Sequence, residues 1–296
     1  MYDIKAYYEA GSAEEAVRLL SEHPDARIIA GGSDVLVQFR DGKLAAAELV
    51  SIHGIDALRG VSRDPDGTVR IGALTSFSRL HTDPVILTCV PPLAEAAGQV
   101  GGPQIRNIGT IGGNICNASP TADTPPTLLA WDAELELLGS GGTRRLPLRH
   151  FYLGAKNVAL EKGELLTAVL IPPGAYDGYT GKMFKYAARE ALDTSIVNCS
   201  VSVRLSEDRE KIADVRAAFG GAVGSTPLRA SAAEAAVAGQ ALDGKTLELF
   251  AVSVLRDIQP RDGWRASKAL REQIAGELAK RMLSESVRLA GGVIHE

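Results

Sequence analysis

Two short glycine-rich segments, far apart along the chain, place the strongest constraint on its fold. The first is AGGSD, residues 30–34, which directly follows the apolar pair Ile28 and Ile29. The second is TIGGN, residues 110–114. Small residues let backbone N–H groups approach a ligand closely, and such groups bind phosphate without a cationic side chain. Because two segments of this kind can hold a diphosphate from both sides, the pair predicts that the chain binds a dinucleotide.

The spacing of these glycines differs from that of the common nucleotide motifs. A Rossmann turn needs G-x-G-x-x-G with an acidic residue about 20 positions on, and a P-loop needs its lysine. Gly31 and Gly32 have no third glycine at the required position, and neither segment carries that lysine. The first segment also fits an ordinary strand-to-helix turn in which glycine supplies a positive φ. Without a Rossmann unit, we expect the cofactor to lie between two domains, a common location for ligand sites.

Three parts are predicted along the chain. Its 296 residues exceed the usual size of a single core, which indicates two or three domains. Residues 1–58 are predicted as a small α/β unit with the capping-box pattern S-A-E-E at Ser12, and residues 59–172 as an α+β unit. The turn-rich segment 172–181 predicts a boundary before a C-terminal α+β domain, residues 173–296, with an antiparallel sheet and helices.

Two elements of the C-terminal part show clear periodicity. Residues 195–205 alternate between apolar and polar side chains, which predicts an antiparallel strand with one exposed face. Leu270, Ile274, Leu278 and Met282 recur every four residues, which predicts a long helix packed on the core. We assign this apolar stripe no functional role.

Charge and cysteine content exclude several classes of protein. The net charge of -4 gives no reason to expect a nucleic-acid partner, and no apolar run approaches the length of a membrane span. The segment MYDIK at residues 1–5 lacks the features of a signal peptide, so we expect a cytoplasmic protein. Cys89, Cys116 and Cys199 are too few for an iron–sulfur cluster, and the five histidines are scattered. The sequence therefore predicts that the chain itself binds no metal.

Four motifs carry a resemblance to a known family. They are AGGSD at residues 30–34, IGALT at 71–75, TIGGNI at 110–115 and WRASK at 264–268. With these motifs the chain resembles the FAD-binding (medium) subunits of the molybdenum hydroxylases, a family that includes xanthine dehydrogenase and aerobic carbon monoxide dehydrogenase. GPQIRN at 102–107, GGNICN at 112–117 and FKY at 184–186 are most similar to the separate flavin subunits of bacterial xanthine dehydrogenases. The similarity covers essentially the whole chain.

The resemblance implies a fold and a cofactor. The fold is an FAD-binding type 2 domain in two parts, of the vanillyl-alcohol-oxidase kind, followed by a C-terminal α+β domain of the carbon monoxide dehydrogenase flavoprotein type. The cofactor is FAD, expected to be non-covalent because covalent relatives attach it to histidine or cysteine, and only Cys116 lies beside either glycine-rich segment. The residues that the resemblance places at the FAD are Arg27, Ile28, Ile29, Ala30, Gly31, Gly32, Ser33, Asp34, Thr110, Ile111, Gly112, Gly113, Asn114, Asp123, Leu166 and Lys185.

Three of these positions have a second interpretation. Asp123, which precedes Thr124 and two prolines, either accepts hydrogen bonds from ribose hydroxyls or caps a helix. Leu166 is predicted as a core strand residue that also touches the flavin ring. Lys185 lies between two aromatic residues on a predicted strand, so its side chain points away from theirs, either into a salt bridge or toward the flavin. We favour the position beside the flavin, where a positive charge would stabilise the reduced anion.

The function implied by the resemblance is electron transfer in a three-subunit xanthine or purine dehydrogenase. Molybdopterin on a large partner subunit would oxidise the purine, 2Fe–2S clusters on a small partner subunit would carry the electrons, and NAD+ would accept them from the FAD. No residue of this chain is expected to be catalytic. Two alternatives stay open. One is the flavin subunit of a related hydroxylase that acts on carbon monoxide, nicotinate or an aromatic acyl-CoA, and the other is a scaffold subunit without flavin.

Overall fold

A three-stranded parallel sheet begins the fold in the computed structural model, which describes residues 3–295. Its elements are β1 (Ile4–Glu9), α1 (Ala13–Glu22), β2 (Arg27–Ile29), α2 (Val35–Arg40) and β3 (Ala47–Ser51). The strand order is β1-β3-β2, with every pair parallel. Residues 1–2 and residue 296 lie outside the described residues. The predicted first part of the chain and the MYDIK segment both begin with residues 1–2.

Helix α1 confirms the predicted capping box with one change. Ser12 Oγ accepts the N–H of Glu15 at 3.1 Å. The Glu15 carboxylate in turn accepts the N–H of Gly11 at 2.8 Å, one residue before the expected amide. Leu19 and Leu20 lie on the buried face of the helix, so the cap fixes where this face begins.

A five-stranded antiparallel sheet and a set of short helices form the middle of the chain. Their bounds in chain order are β4 (Val61–Arg63), β5 (Val69–Gly72), α3 (Phe77–Thr82), α4 (Pro84–Cys89), α5 (Pro91–Gly98), α6 (Pro103–Ile108), α7 (Ile111–Cys116), α8 (Pro125–Ala130), β6 (Glu134–Gly139), β7 (Gly142–Pro147), β8 (Tyr152–Gly154), β9 (Asn157–Val158) and β10 (Leu165–Ile171). The strand order is β4-β5-β10-β6-β7, so the last strand of this region lies at the centre of the sheet. All residues of β10 are buried. Helices α7 and α8 pack on this sheet through Ile111, Ile115 and Leu128, which share a core with Ile71 and Val169.

The C-terminal region is a four-stranded antiparallel sheet with helices on it. Its elements are α9 (Pro173–Tyr176), β11 (Thr180–Tyr186), β12 (Val197–Leu205), β13 (Ile212–Gly220), β14 (Leu228–Arg229), α10 (Ser231–Val237), α11 (Gly244–Asp257) and α12 (Lys268–Leu289). The strand order is β11-β12-β13-β14. In α12 the residues Ile274, Leu278 and Met282 are buried as predicted, whereas Leu270 is 41% exposed. No helix within residues 3–295 is both long and apolar enough to cross a membrane.

The prediction of an exposed face on β12 was wrong. Its polar residues Asn198, Ser200 and Ser202 are all fully buried. The strand packs against α8, and Ser202 Oγ donates a hydrogen bond to the Ala130 carbonyl of that helix at 3.0 Å. The polar face of the C-terminal sheet is therefore an interface with the middle region, where Asn198 and Ser202 donate hydrogen bonds to backbone carbonyls.

Candidate cofactor site

The first glycine-rich segment lies at the carboxyl end of β2, where the chain turns into α2. Gly31 packs against the end of α6, since a Cβ on this residue would lie 1.7 Å from the Ile108 carbonyl oxygen. Gly32 has a φ of +72°, a left-handed conformation that favours glycine. Both glycines are therefore required by the local backbone, which confirms that this segment is a strand-to-helix turn. Whether it can also bind a ligand depends on its backbone N–H donors.

The backbone donors of this segment have no partners inside the protein. Within residues 3–295, the N–H groups of residues 31–34 donate to no protein acceptor. Ser33 is exposed and adds a hydroxyl. Four adjacent N–H donors and a hydroxyl on one turn form the donor set that a phosphate group needs. The segment therefore fits the diphosphate of FAD.

The second glycine-rich segment forms the helix α7, and its N–H groups are already occupied. The N–H groups of Ile111, Gly112, Gly113 and Asn114 donate to Thr75 O, Ala73 O, Thr110 Oγ1 and Thr110 O, at 3.0, 2.9, 3.2 and 3.0 Å. The expectation of bare N–H groups in this segment was wrong, because the first turn of α7 uses them for its cap and for the end of β5. The segment is instead a fixed support beside the first one.

The two glycines of α7 face different surroundings. A Cβ on Gly112 would lie 2.8 Å from the Ala73 Cβ and carbonyl oxygen, so this glycine allows the helix to pack on the sheet. Gly113 is exposed, and a Cβ there would meet only Thr110 Oγ1, at 3.0 Å. Gly113 is therefore the glycine of this segment that a bound molecule could approach.

Side-chain contacts join the two segments. Asp34 Oδ1 accepts a hydrogen bond from Asn117 Nδ2 at 3.4 Å and lies 3.6 Å from Lys156 Nζ, which in turn donates to Asn117 Oδ1 at 2.6 Å. Asn114 Oδ1 accepts from the Thr124 hydroxyl at 2.7 Å. These side chains define a row of polar groups along the two segments, made of two bonded sets: Asp34 with Asn117 and Lys156, and Asn114 with Thr124. Asn117, Thr124 and Lys156 were missed as site residues, although Asn117 lies in the motif GGNICN and Thr124 directly follows Asp123.

Asp123 and Lys185, two of the predicted FAD residues, form a buried ion pair. Their side chains are 9% and 7% exposed, and Lys185 Nζ lies 2.7 Å from Asp123 Oδ2. Lys185 also donates to the Gln99 carbonyl at 3.0 Å, while its neighbours Phe184 and Tyr186 are exposed on the other side of β11, as the alternation predicts. The salt-bridge interpretation of Lys185 is therefore confirmed, and its position beside the flavin stays a prediction.

Asp123 does not cap α8. The N-cap of this helix is Thr124, which makes no side-chain capping bond. Asp123 Oδ1 instead accepts hydrogen bonds from Ser195 Oγ at 2.5 Å and from Asn198 Nδ2 at 3.3 Å. Burial raises the pKa of Asp123, while the Lys185 charge and the three hydrogen bonds act in the opposite direction. Asn198 was also missed because the predicted exposed face of the strand placed it in solvent, and Ser195 was missed because nothing local in the sequence marks it.

The remaining predicted residues lie around the row. Arg27 is exposed at the start of β2, and Ile28 and Ile29 are half-buried along that strand toward the first segment. Leu166 is 3% exposed and lies in the core cluster that includes α7. Its core position is confirmed, and contact with the flavin stays a prediction. Cys116, at the end of α7, is a free thiol whose pKa burial raises to about 12.

Two cavities lie away from these residues. One of 410 Å³ lies beside the pair Arg70 and Glu136, and one of 240 Å³ is lined in part by the ion pair of Asp132 and Arg216. Neither is lined by a glycine-rich segment or by Asp123. Because the first segment carries the unpaired donors, we place the candidate cofactor site there and not at either cavity. Within residues 3–295, no three His, Cys, Asp or Glu side chains lie together as a metal site would require.

Comparison with protein families gives two matches that together span most of the chain. Residues 2–174 match the FAD binding domain in molybdopterin dehydrogenase, and residues 182–286 match the CO dehydrogenase flavoprotein C-terminal domain. The first match contains both glycine-rich segments, and the second contains Lys185, Ser195 and Asn198. The two matches confirm the predicted fold class, an FAD-binding domain followed by a flavoprotein C-terminal domain.

Individual relatives cover most or nearly all of the chain. The putative xanthine dehydrogenase FAD-binding subunit XdhB of Escherichia coli (strain K12) is 39% identical over 292 residues, 99% of both chains. The nicotinate dehydrogenase FAD-subunit of Eubacterium barkeri is 32% identical over 82% of both chains. Among solved structures, carbon monoxide dehydrogenase from Hydrogenophaga pseudoflava has a chain that superposes with a TM-score of 0.91, at 31% identity over 98% of this chain and 99% of that one.

Proposed function

The chain belongs to the FAD-binding subunits of the molybdenum hydroxylases, and from this premise we propose that it serves a xanthine or purine dehydrogenase with NAD+ as electron acceptor. Support for the purine comes from the 39% identity to the Escherichia coli xanthine dehydrogenase subunit, against 31% to a carbon monoxide dehydrogenase medium chain and 32% to the nicotinate dehydrogenase subunit. The substrate would bind to another subunit, so this assignment depends on relatedness and not on a pocket in this chain.

The observation that carries the flavin site is the set of unpaired N–H groups at residues 31–34. We place the FAD diphosphate on this segment, with Thr110, Gly113 and Asn114 beside it and Arg27 to Ala30 leading into it. Ile111 and Gly112 would act indirectly, by fixing α7. When bound, FAD supplies the reversible storage of two electrons. The protein binds and orients it, and Lys185 and Leu166 would lie toward its ring.

The cofactor would be held without a covalent bond. The only cysteine next to a glycine-rich segment is Cys116, and its thiol pKa of about 12 leaves almost none of the nucleophilic thiolate at neutral pH.

Two partner subunits complete the proposed enzyme. One would carry molybdopterin and the other 2Fe–2S clusters, consistent with relatives that are described as medium chains or complex subunits. The free state of Cys89, Cys116 and Cys199 fits a reducing compartment, so we place the complex in the cytoplasm. We also propose the domain limits 1–58, 59–172 and 173–296, because each of the three larger sheets falls within one of them.

Co-purification of the native complex tests this function. We expect the chain to elute with a molybdenum subunit and an iron–sulfur subunit, to hold FAD, and to support NAD+ reduction by xanthine. Nicotinate and carbon monoxide serve as control substrates in the same assay. Turnover with nicotinate but not with xanthine would overturn the purine assignment, and a yellow complex that reduces an artificial dye but not NAD+ would overturn the acceptor.

A further inference from the structure

Ser195 and Asn198 hold a buried carboxylate at the edge of the candidate site. Both side chains are essentially inaccessible to solvent, and both donate to Asp123 Oδ1. The other oxygen of Asp123 binds Lys185. One carboxylate from the middle region thus receives three donors from the C-terminal region. No local signal in the sequence predicts this cluster.

These contacts determine the charge of the cluster. A buried carboxylate is stable as an anion only when a cation and hydrogen-bond donors offset the loss of water. Lys185 supplies the cation. The hydroxyl of Ser195 and the amide of Asn198 bond to the ionised form of Asp123 and so favour it over the protonated form. With both donors in place, the charge of Lys185 is neutralised by its partner.

Two other cations near the cluster pair with carboxylates of their own, whereas the buried guanidinium of Arg271 on α12 donates to the backbone carbonyl of Ile196, next to Ser195. On the elements that pack around it, Lys182 of β11 binds Glu95 of α5 at 2.6 Å. In the loop between β11 and β12, Arg189 lies 3.8 Å from Asp193. The state of Asp123 therefore decides how much positive charge Lys185 presents to its surroundings.

We propose that Ser195 and Asn198 are positioning residues for the flavin, which act by keeping Asp123 ionised and bonded to Lys185. The inference rests on the proposed FAD site, in which Lys185 lies toward the ring. A positive charge beside the ring favours reduced flavin, so a fully paired Lys185 lowers the flavin potential relative to an unpaired one. The two donors thereby adjust the potential without touching the cofactor.

The test is the flavin midpoint potential of the full chain reconstituted with FAD. Asp123→Asn removes the anion and should raise the potential, whereas Lys185→Met removes the cation and should lower it. Ser195→Ala removes one donor and shifts Asp123 toward its neutral form, so we expect a smaller rise, of the same sign as that of Asp123→Asn. Ser195→Thr keeps the hydroxyl and should restore the wild-type value.

A matched control separates this role from a structural one. Ser202→Ala removes a buried hydroxyl from the face of β12 that carries Asn198, but that hydroxyl bonds the Ala130 carbonyl and not Asp123. We expect it to lower thermal stability and to leave the potential unchanged. Should Ser195→Ala fold poorly, Ser195→Cys keeps the volume with a weaker donor and should shift the potential in the same direction.

The possible outcomes are distinct. A wild-type chain that binds no FAD would contradict the proposed function itself. If the wild-type chain binds FAD and the potential of Ser195→Ala equals that of wild type, falls below it, or moves equally with Ser202→Ala, the positioning role is wrong. A rise confined to Ser195→Ala, Ser195→Cys and Asp123→Asn, with rescue by threonine, supports it.

Discussion

A single methyl group on Gly113 should weaken FAD binding without unfolding the chain. This residue is the exposed glycine of α7, and an added Cβ would meet only the Thr110 hydroxyl, at 3.0 Å. In the proposed site the same methyl would project toward the bound cofactor. The substitution therefore separates the ligand-facing role of the glycine from its role in packing, which substitution of Gly31 or Gly112 cannot do.

The Gly113→Ala substitution should affect the stability of the FAD-free chain and the affinity for FAD differently. Alanine in place of a helical glycine gains about 1 kcal/mol of helix stability. The close approach to Thr110 can cost a similar amount through the cap, so the free energy of unfolding of the FAD-free chain should change by less than about 1 kcal/mol. An extra methyl in a closely packed contact costs about 1 to 3 kcal/mol, which corresponds to FAD binding weaker by roughly 5-fold to 150-fold. Valine at this position should lose more.

Fluorescence titration of FAD and urea unfolding of the FAD-free chain give the two quantities. The control is Gly276→Ala, because Gly276 also lies inside a helix and a Cβ there meets no atom within 4 Å. It should gain helix stability and keep the wild-type FAD affinity. Wild-type affinity in a folded Gly113→Val variant would show that FAD does not pass over α7 at this residue, and the proposed position of the diphosphate would then be wrong.

Three further predictions concern stability, pH and the flavin linkage. Arg229→Ala should lower the free energy of unfolding in urea by about 3 kcal/mol, because this half-buried guanidinium binds a carboxylate on each side. The control Arg288→Ala, at an exposed residue, should lower it by less than about 0.5 kcal/mol, and equal losses would contradict the reasoning. The bidentate hydrogen bonds from Arg70 lower the pKa of Glu136, so this pair stabilises the fold above the ordinary pKa of 4.5, and the stabilisation is lost as the pH falls through the lower folded value. Glu136→Gln should therefore show a weaker loss of stability on acidification, measured by urea midpoints from neutral to acid pH, and an unchanged acid profile would refute the assignment. Acid precipitation should release all flavin from the wild-type chain and from Cys116→Ser alike, and flavin retained in the wild-type pellet would show a covalent link.

Local chemistry made part of the fold predictable. The capping box at Ser12 depends on side chains and amides within one helical turn, and the left-handed φ of Gly32 follows from a strand that turns directly into a helix. The family resemblance rests on the same local motifs, which is why it identified the cofactor and the fold. Such features need no knowledge of distant parts of the chain.

The helix α7 shows where local reasoning fails. Two adjacent glycines lower the stability of a six-residue helix by about 2 kcal/mol relative to alanine, so the sequence favours a loop. The helix forms because Ile111 and Gly112 donate to backbone carbonyls at the end of β5, and because the missing side chain of Gly112 allows that approach. Tertiary contacts override propensity here, and they also occupy the N–H groups that the sequence suggested were available to phosphate.

The buried polar face of β12 explains why Asn198 could not be assigned to the site from the sequence. Alternating polar residues normally face water, and only the position of α8 places them in an interface. There Asn198 Nδ2 donates to the Ala122 carbonyl at 3.0 Å and also to Asp123 Oδ1. One side chain thus supplies hydrogen bonds to both a backbone carbonyl and the carboxylate of the adjoining region. The family match that ends at residue 174 therefore does not contain a self-sufficient site, because the partners of Asp123 all come from beyond that residue. The glycine-rich segments bind the phosphate end in this scheme, whereas the charge near the flavin ring depends on how the C-terminal region docks.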